Sequence, residues 1–498
     1  MTTTSADFTG RLGAAIGASH LLSDLASRAA YAVDEIVPSA VAKPASAEAV
    51  AEIVRFASLE ELALIPGGNR TKPAIGMPPS RYDIALDMTA LNQIAHYDPG
   101  DLTLSVDAGI SLAQLNAALF EHKQFLPLLV PWYSRATIGG TIASGLHSPL
   151  QQFYGTARDF LIGAEFIDGT GKRCKSGGRV VKNVTGYDLH KLLIGSLGSL
   201  AVITRLNFRT FPTPIAGSRG FVASFLNAEG ALALRRAIAE SSLTPLTHDV
   251  VSPELAQIFA TRTPSTPEPA VFAGEDRAAA QSPLPPIGNW FNPHGWHLCA
   301  AFAGTSEVLD RYARELTLLA ERSRATSTTL LDDATRPTFW GRLRESLSMF
   351  LETSPATVIY KISAMPNHHA ALFSDLRQIA DRAELPHALV ARAGGTIYFA
   401  LLPADISDET TARISAFAFQ LFHSILPAGD SSSVARGHAT LLFAPRAWKR
   451  VLHTSDGGEG PTMNLWGPPP RDLALMRRLK NAFDPQGILA PGRFAGGI

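Results

Sequence analysis

Apolar positions along the chain follow two regular periods, helical and alternating, for most of its length. Ala47–Leu59 carries apolar residues at helical spacing behind Ser46, a side chain suited to cap a helix start. Ala63–Pro66 is a short apolar strand that runs into Gly67-Gly68-Asn69. Ile84–Asp87, the alternating Leu102–Val106, Leu161–Ile167 and Ala201–Phe208 predict further strands, and Ser111–His122 a helix capped by Ser111. Downstream, Gly220–Phe225, Gly230–Ser241 and Thr247–Val251 predict strand, helix, strand. Trp296–Phe302, Thr357–Ile362 and Gly395–Leu402 predict strands, and Glu307–Arg322, Phe339–Phe350, His368–Ala383 and Thr410–Leu426 helices. A last helix, Arg471–Phe483, stops at Asp484-Pro485.

This order predicts an α+β protein in four parts. Residues 1–31 form a helical extension, with Leu21, Leu22, Leu25 and Ala29 at helical spacing. Residues 32–215 form a mixed domain built around glycine turns. Residues 216–440 form a second α+β domain, an antiparallel sheet covered by helices, with room for two similar strand–helix–strand halves. Within it, 261–289 is rich in Pro, Ala, Ser and Thr and reads as an inserted mobile loop. Residues 441–498 form a C-terminal segment.

Composition narrows the partners. The chain has 498 residues, 46% of them hydrophobic, enough for a sizeable core, and only 18% charged, against a usual level of about 25%. Lys and Arg total 44, as do Asp and Glu, and no run of five like charges occurs, so nothing marks a nucleic-acid or membrane surface. Two cysteines, Cys174 and Cys299, exclude a disulfide scaffold, an iron–sulfur cluster and a four-thiolate zinc site. The N-terminus lacks the basic-then-apolar order of a signal peptide. The longest uncharged apolar stretch, Leu192–Thr204, falls short of the ~20 residues that span a bilayer. A cytoplasmic protein with two reduced thiols is expected, reaching a membrane only through a partner.

Four segments carry chemistry. Gly67-Gly68-Asn69-Arg70-Thr71-Lys72 follows a strand; paired glycines let several backbone N–H groups converge on a phosphate, and Arg70 or Lys72 adds positive charge. It is neither a Walker loop nor a G-x-G-x-x-G fingerprint, and a plain tight turn is the competing reading. Thr137-Ile138-Gly139-Gly140-Thr141-Ile142-Ala143-Ser144-Gly145 is a run of small residues that a flat ligand can approach closely. Two such segments in one domain suggest a long ligand with phosphates and a ring system. Tyr154–Asp159 and the run from Val181 to Thr204 complete the set.

In this order the four blocks resemble the FAD-binding (PCMH-type) domain of the vanillyl-alcohol-oxidase/p-cresol-methylhydroxylase superfamily. The run GGRVVKNVTGYDLHKLLIGSLGSLAVIT (177–204) resembles more closely the FAD-binding E-type subunit of bacterial glycolate oxidase. The tail FDPQGILAPGR (483–493), the run Thr338–Arg344 and Gly437-His438-Ala439 are similar to the same group. The resemblance covers about 35–215 strongly and 330–498 patchily. It implies a two-subdomain FAD-binding domain, an α+β cap with an antiparallel sheet, and a C-terminal segment that returns to the FAD domain. FAD would be gripped by Gly67, Gly68, Asn69, Arg70 and Thr71 at the pyrophosphate. Thr137, Gly140, Thr141 and Ser144 would lie along the flavin and ribityl side, and Ile203 near the adenine. Relatives often tether FAD through His or Cys in the first loop; neither stands there, so the FAD is expected to be non-covalent. Ala201 stands where relatives usually have Gly.

The implied chemistry is oxidation of a 2-hydroxy acid such as glycolate: a base takes the hydroxyl proton, a cation holds the carboxylate, and hydride passes to flavin N5. His438 with Arg436 is the best local pair, with Arg342 or Arg344 as the alternative cation. His438 also reads as a structural histidine, Trp340 as a core aromatic, and the two arginines as a solvated helix face. His147 follows the second small-residue segment and reads either as a flavin neighbour or as a packed residue. The metal-binding H-x-G-D-G-N-x-H run of related D-lactate and D-2-hydroxyglutarate dehydrogenases is absent, and Ser455-Asp456-Gly457-Gly458 lacks both histidines, so no metal is expected. The family implies a second FAD subunit and an iron–sulfur subunit as partners. Two other functions stay open: a non-catalytic FAD-binding assembly subunit, and a self-standing FAD oxidase of alcohols or sugars with 261–289 as its lid.

Overall fold

The computed structural model describes residues 6–180, 186–214, 217–262, 291–331, 335–425, 435–451, 466–467 and 472–498. The expected insertion at 261–289 lies almost wholly outside the described residues, as does Ser455–Gly458.

Two sheets make the first unit. In one, Ala40–Ala42, Ile84–Asp87 and Leu64–Gly67 run parallel, with Leu21–Leu22 antiparallel at the edge. Ala40–Ala42 and Ile84–Asp87 are buried at every position, which is why they read as unbroken apolar runs rather than alternating ones. The other sheet is antiparallel, in the order Ile94–Asp98, Thr103–Asp107, Ala201–Arg209, Leu161–Asp168, Arg173–Gly177. Helix Ala47–Leu59, capped by the Ser46 hydroxyl, buries Val50, Ile53 and Val54 in one cluster with Ile167 and Val202, and so joins the two sheets. Helix Ala6–Ile16 adds Phe8 and Leu12 to that cluster, and its Arg11 pairs with Glu60 at 2.7 Å.

The tail closes on this unit. Leu489 bridges Leu64 in parallel, Asp484 accepts the Leu489 N–H at 2.8 Å, and Lys480 donates to Asp484 and to the Ser199 carbonyl.

The second unit is an eight-stranded antiparallel sheet made of two halves. The first half has the order Ser327–Leu331, Ser218–Phe225, Trp296–Ala303, Thr247–Val251; the second His387–Ala391, Thr396–Leu401, Val358–Ala364, Gly437–Phe443. Numbered within each half, the strands lie 4-1-3-2 and then 2-3-1-4, so the halves mirror each other and join through Val250 and Val251 opposite Ala391 and Val390. Helices Ala228–Glu240, Ser306–Arg322, His369–Arg382 and Asp408–Ile425 cover one face, sharing a core with Phe221, Leu298, Ile362 and Phe399. The opposite face, with Val222, Cys299, Val390 and Tyr398, shares a core with Leu146 and Leu150 of the first unit.

Four elements differ from the sequence pattern. Leu21–Leu22, expected within a helical extension, is an edge strand paired with Val41 and Ala42, and only Leu25–Ala29 of that run is helical. The helix expected over Phe339–Phe350 is two, Arg336–Arg344 and Ser346–Thr353, interrupted at Glu345 (φ −86°, ψ 12°), whose carboxylate reaches across to Trp132. The small-residue segment is a helix, Ile138–Ser144, capped by Thr137 and closed by Gly145 in the left-handed region. Gly437–Phe443, read only as a motif, is the edge strand of the cap sheet.

Candidate functional site

Strand Leu64–Gly67 delivers Gly67–Lys72 directly against helix Ile138–Ser144. A Cβ on Gly68 would meet the Thr137 hydroxyl at 2.2 Å, so only glycine permits this approach. A Cβ on Gly67 would meet nothing within 4 Å, and one on Gly140 only the Thr137 hydroxyl, at 3.0 Å, so both leave open space beside their backbones. Between these segments lies a cleft of about 1020 Å³, walled by Gly67–Lys72, Thr137, Gly139, Gly140, Ala143 and Ser144. It continues past Leu197, Gly198, Ala201 and Ile203 to Tyr82 and Arg493. A bulge in the pairing between Ile203 and Arg205 interrupts the sheet beside the cleft.

One wall is charged. Arg70 stacks on the Tyr31 ring, its guanidinium 4.0 Å from the centroid, and approaches Asp87 at 4.0 Å. Tyr31 donates to Asp87 at 2.6 Å and Tyr82 to the Tyr31 carbonyl at 3.0 Å; burial, and for Tyr31 then the bond to Asp87, raises both phenols. Lys72 is lowered to about 8 by burial, opposed by the charge of Glu345. Arg493 donates to the Pro73 and Ile75 carbonyls and Lys449 to Asp34 at 2.9 Å, which pins the end of the loop. A glycine-lined wall, the cationic side chains of Arg70, Lys72 and Arg493, and apolar lining from Ile65, Leu197, Ala201 and Ile203 fit a dinucleotide.

At the boundary with the cap the polar residues converge again. Lys361 and Thr396 stand on neighbouring cap strands. His147 follows the small-residue helix by a few residues. Its Nδ1 is 3.1 Å from Thr396 Oγ1 and its Nε2 is 3.4 Å from Lys361 Nζ. Burial lowers Lys361 to about 8. Burial first, then the Lys361 charge, lowers His147 to about 3. Among the described residues no acidic side chain pairs with Lys361. Glu345 accepts the Trp132 N–H at 2.8 Å, Arg344 Nε at 2.9 Å and the Ser348 hydroxyl at 2.8 Å, and so clamps the turn leading into Thr137 to the cap. A second cleft of about 750 Å³ lies against His147, Thr141, Gln151, Arg158 and Lys191.

The residues singled out from the sequence fall into two groups. Gly67, Gly68, Asn69, Arg70, Thr71, Thr137, Gly140, Ser144 and Ile203 all border the first cleft. Thr141 faces the second, its buried hydroxyl without a partner. His438, Arg436 and Arg342 are not brought together. Arg436 pairs with Asp375 at 2.7 Å on the helix side of the cap, and Arg342 is buried with its Nε on the Phe259 carbonyl. Arg344 is buried, not a solvated face, and lies over the Tyr133 ring at 5.1 Å. His438 lies opposite Ser363 in the strand pairing; burial, then Lys361, lowers its pKa. Sequence reading missed Lys361, Tyr31 and Tyr82; their only signal was position on strands or in loops whose pairing the sequence does not reveal.

The family model described as FAD binding domain matches residues 38–177, and that described as FAD linked oxidases, C-terminal domain, matches 221–433 and 468–494. The glycolate oxidase subunit GlcE of Escherichia coli is 37% identical over 170 residues, 34% of this chain and about half (48%) of that protein. The glycolate oxidase subunit GlcD of Bacillus subtilis is 23% identical over 94% of this chain and 92% of its own length. A D-2-hydroxyglutarate dehydrogenase of Xanthomonas citri is 32% identical over 36% of this chain and 38% of its own. Among solved structures, p-cresol methylhydroxylase with substrate bound superposes with a TM-score of 0.74 at 17% identity, covering 99% of this chain and 97% of that one; the fold is shared.

Proposed function

Since the chain belongs to the FAD-linked oxidoreductases that join an FAD-binding domain to an FAD-linked oxidase C-terminal domain, we propose that it oxidises a 2-hydroxy acid such as glycolate. One observation carries this reading: Lys361, a half-buried ammonium with no acidic partner among the described residues, meets His147 just beyond the small-residue helix that walls the glycine-lined cleft. A partly desolvated cation without a counter-ion favours an anionic ligand.

In this reading Gly67–Thr71 hold the pyrophosphate, Thr137, Gly140 and Ser144 lie along the ribityl and flavin side, and Ile203 supports the adenine end. Bound FAD, held non-covalently, supplies the hydride acceptor. Lys361 takes the substrate carboxylate, the role first sought in Arg436 and Arg342. Glu345 holds the Trp132 backbone, and with it the entry to the small-residue helix, in register with the cap. The likeness to glycolate oxidase subunits supports assembly with a second FAD subunit, and with an iron–sulfur subunit that takes the electrons this two-cysteine chain cannot hold in a cluster. The protein would work in the cytoplasm and meet a membrane only through such partners; among the described residues no helix is long and apolar enough to cross one.

The test is anaerobic mixing of the flavin-loaded chain with glycolate, D-lactate and D-2-hydroxyglutarate. Bleaching of the flavin by one of them supports the proposal. Silence toward all three would instead support a non-catalytic FAD-binding subunit. Fast reoxidation by air after bleaching would mark a self-standing oxidase.

A further inference from the structure

His147 and Lys361 meet across the boundary between the two units, and their contact constrains both. A lysine ammonium has only donors, so the Nε2 atom that faces Lys361 Nζ at 3.4 Å carries the imidazole lone pair. The ring proton is therefore on Nδ1, 3.1 Å from Thr396 Oγ1. The basic nitrogen of His147 is thus occupied by a cation, while that cation holds a neutral partner where a charged one would bind far better.

We propose that a bound carboxylate draws the Lys361 ammonium off His147 Nε2 and so frees that nitrogen to accept the hydroxyl proton of the same substrate molecule. The proposal rests on the 2-hydroxy-acid reading above. In the step, the substrate O–H bond breaks and an Nε2–H bond forms, leaving an imidazolium. The O–H electron pair becomes the second bond of the carbonyl, and C2 releases hydride, with its electron pair, to the flavin oxidant of the proposed reaction. The ammonium and the base are thereby assigned by one event: an alcohol without a carboxylate leaves His147 blocked. The charged and titratable groups facing His147 are Lys361, His438 beyond it on the adjoining strand, Tyr398 beside its backbone, and Arg158 and Lys191 across the second cleft.

The test uses the flavin-loaded protein, ¹⁵N-labelled at histidine, with oxalate as a carboxylate that cannot be oxidised this way. Without oxalate the His147 ring should stay neutral from about pH 8 to about pH 5. With oxalate its Nε2 resonance should shift and a protonation midpoint should enter that range; no change on saturation would overturn the proposal. Because a nearby anion alone could raise the midpoint, a second measurement decides. His147→Gln should slow flavin reduction by a 2-hydroxy acid at least about 100-fold, with oxalate affinity within about 3-fold of the parent. Bleaching at the parent rate would overturn the role of His147 and leave the substrate reading standing. Absence of both oxalate binding and bleaching would overturn the substrate reading, and this proposal with it.

Discussion

Gly68 and Thr137, far apart in the chain, approach so closely that a β-carbon on Gly68 would lie 2.2 Å from the Thr137 hydroxyl oxygen and 2.6 Å from its methyl. Thr137 cannot swing aside at no cost: its hydroxyl caps the small-residue helix by accepting the Gly140 N–H at 3.3 Å. Gly68→Ala must therefore push the first loop off the helix or break the cap. FAD affinity should fall at least about 10-fold, roughly 1.4 kcal/mol, with the circular dichroism spectrum unchanged. Full flavin content in that variant would show that the contact does not hold the cleft in shape.

Gly140 tests the ligand rather than the fold. A Cβ there meets the Thr137 hydroxyl at 3.0 Å, which a shift of a few tenths of an ångström relieves, and the rest of the Gly140→Val side chain occupies cleft space the dinucleotide needs. The variant should fold, melt close to the flavin-free parent and retain no yellow colour. Normal flavin content would place the cofactor elsewhere.

The attachment of the cofactor has an equally simple test. Among the described residues no histidine or cysteine lines the cleft, and the Tyr31 and Tyr82 hydroxyls are engaged with Asp87 and the Tyr31 carbonyl. Acid precipitation should leave all the flavin in the supernatant. Colour that stays on the pellet through washing would mean a covalent bond.

How much of this was legible depended on whether a signal was local. Ser46 before an amphipathic run specifies a helix start by itself, and the structure begins that helix at Ala47. Thr247–Val251 is equally local and matches to the residue. Gly437–Phe443 is different: it becomes a strand by pairing with Val358–Ala364, a partner that its own composition does not name. The same holds for the site. Gly67–Thr71 and Thr137–Ser144 announce themselves by glycine and small residues. Lys361 is one lysine in an otherwise apolar strand, and its meaning comes from His147 folding against it. Arg436 and Arg342 show the converse: correct residue types for a carboxylate, but turned to Asp375 and to the Phe259 carbonyl by a topology the sequence does not display.

The cap carries a buried ion pair whose loss should be costly. Arg392 Nη1 donates to Asp249 at 2.8 Å with both side chains sealed from solvent, and Asp249 also accepts the Ala393 N–H at 3.0 Å and the Thr247 hydroxyl at 2.9 Å. Asp249→Ala removes the charge that opposes that guanidinium and leaves three donors unanswered. The expected destabilisation is about 3–5 kcal/mol in urea unfolding. A loss below about 1 kcal/mol would mean that water enters and replaces the carboxylate.

Lys361 gives the site its pH dependence. Burial lowers its pKa to about 8, so the free enzyme carries the ammonium below that value and loses it above. The charged form is the one that binds a carboxylate, and binding holds the proton on. The sign follows: above about pH 8, KM for a 2-hydroxy acid should rise about tenfold per unit while kcat changes little. His147, lowered to about 3 in the free protein by burial and by Lys361, adds no acidic limb to kcat/KM in the working range; in the carboxylate complex, where Lys361 is drawn away, its midpoint gives kcat an acidic limb between about pH 5 and pH 8. Lys72 titrates in the same region for the same reason, so the assignment needs two variants. Lys72→Met should keep the alkaline rise in KM. Lys361→Met should abolish it and leave a KM that is uniformly high, at least about tenfold above the parent at neutral pH. An alkaline rise that survives in Lys361→Met would move the carboxylate to another cation and detach it from the cap strand altogether.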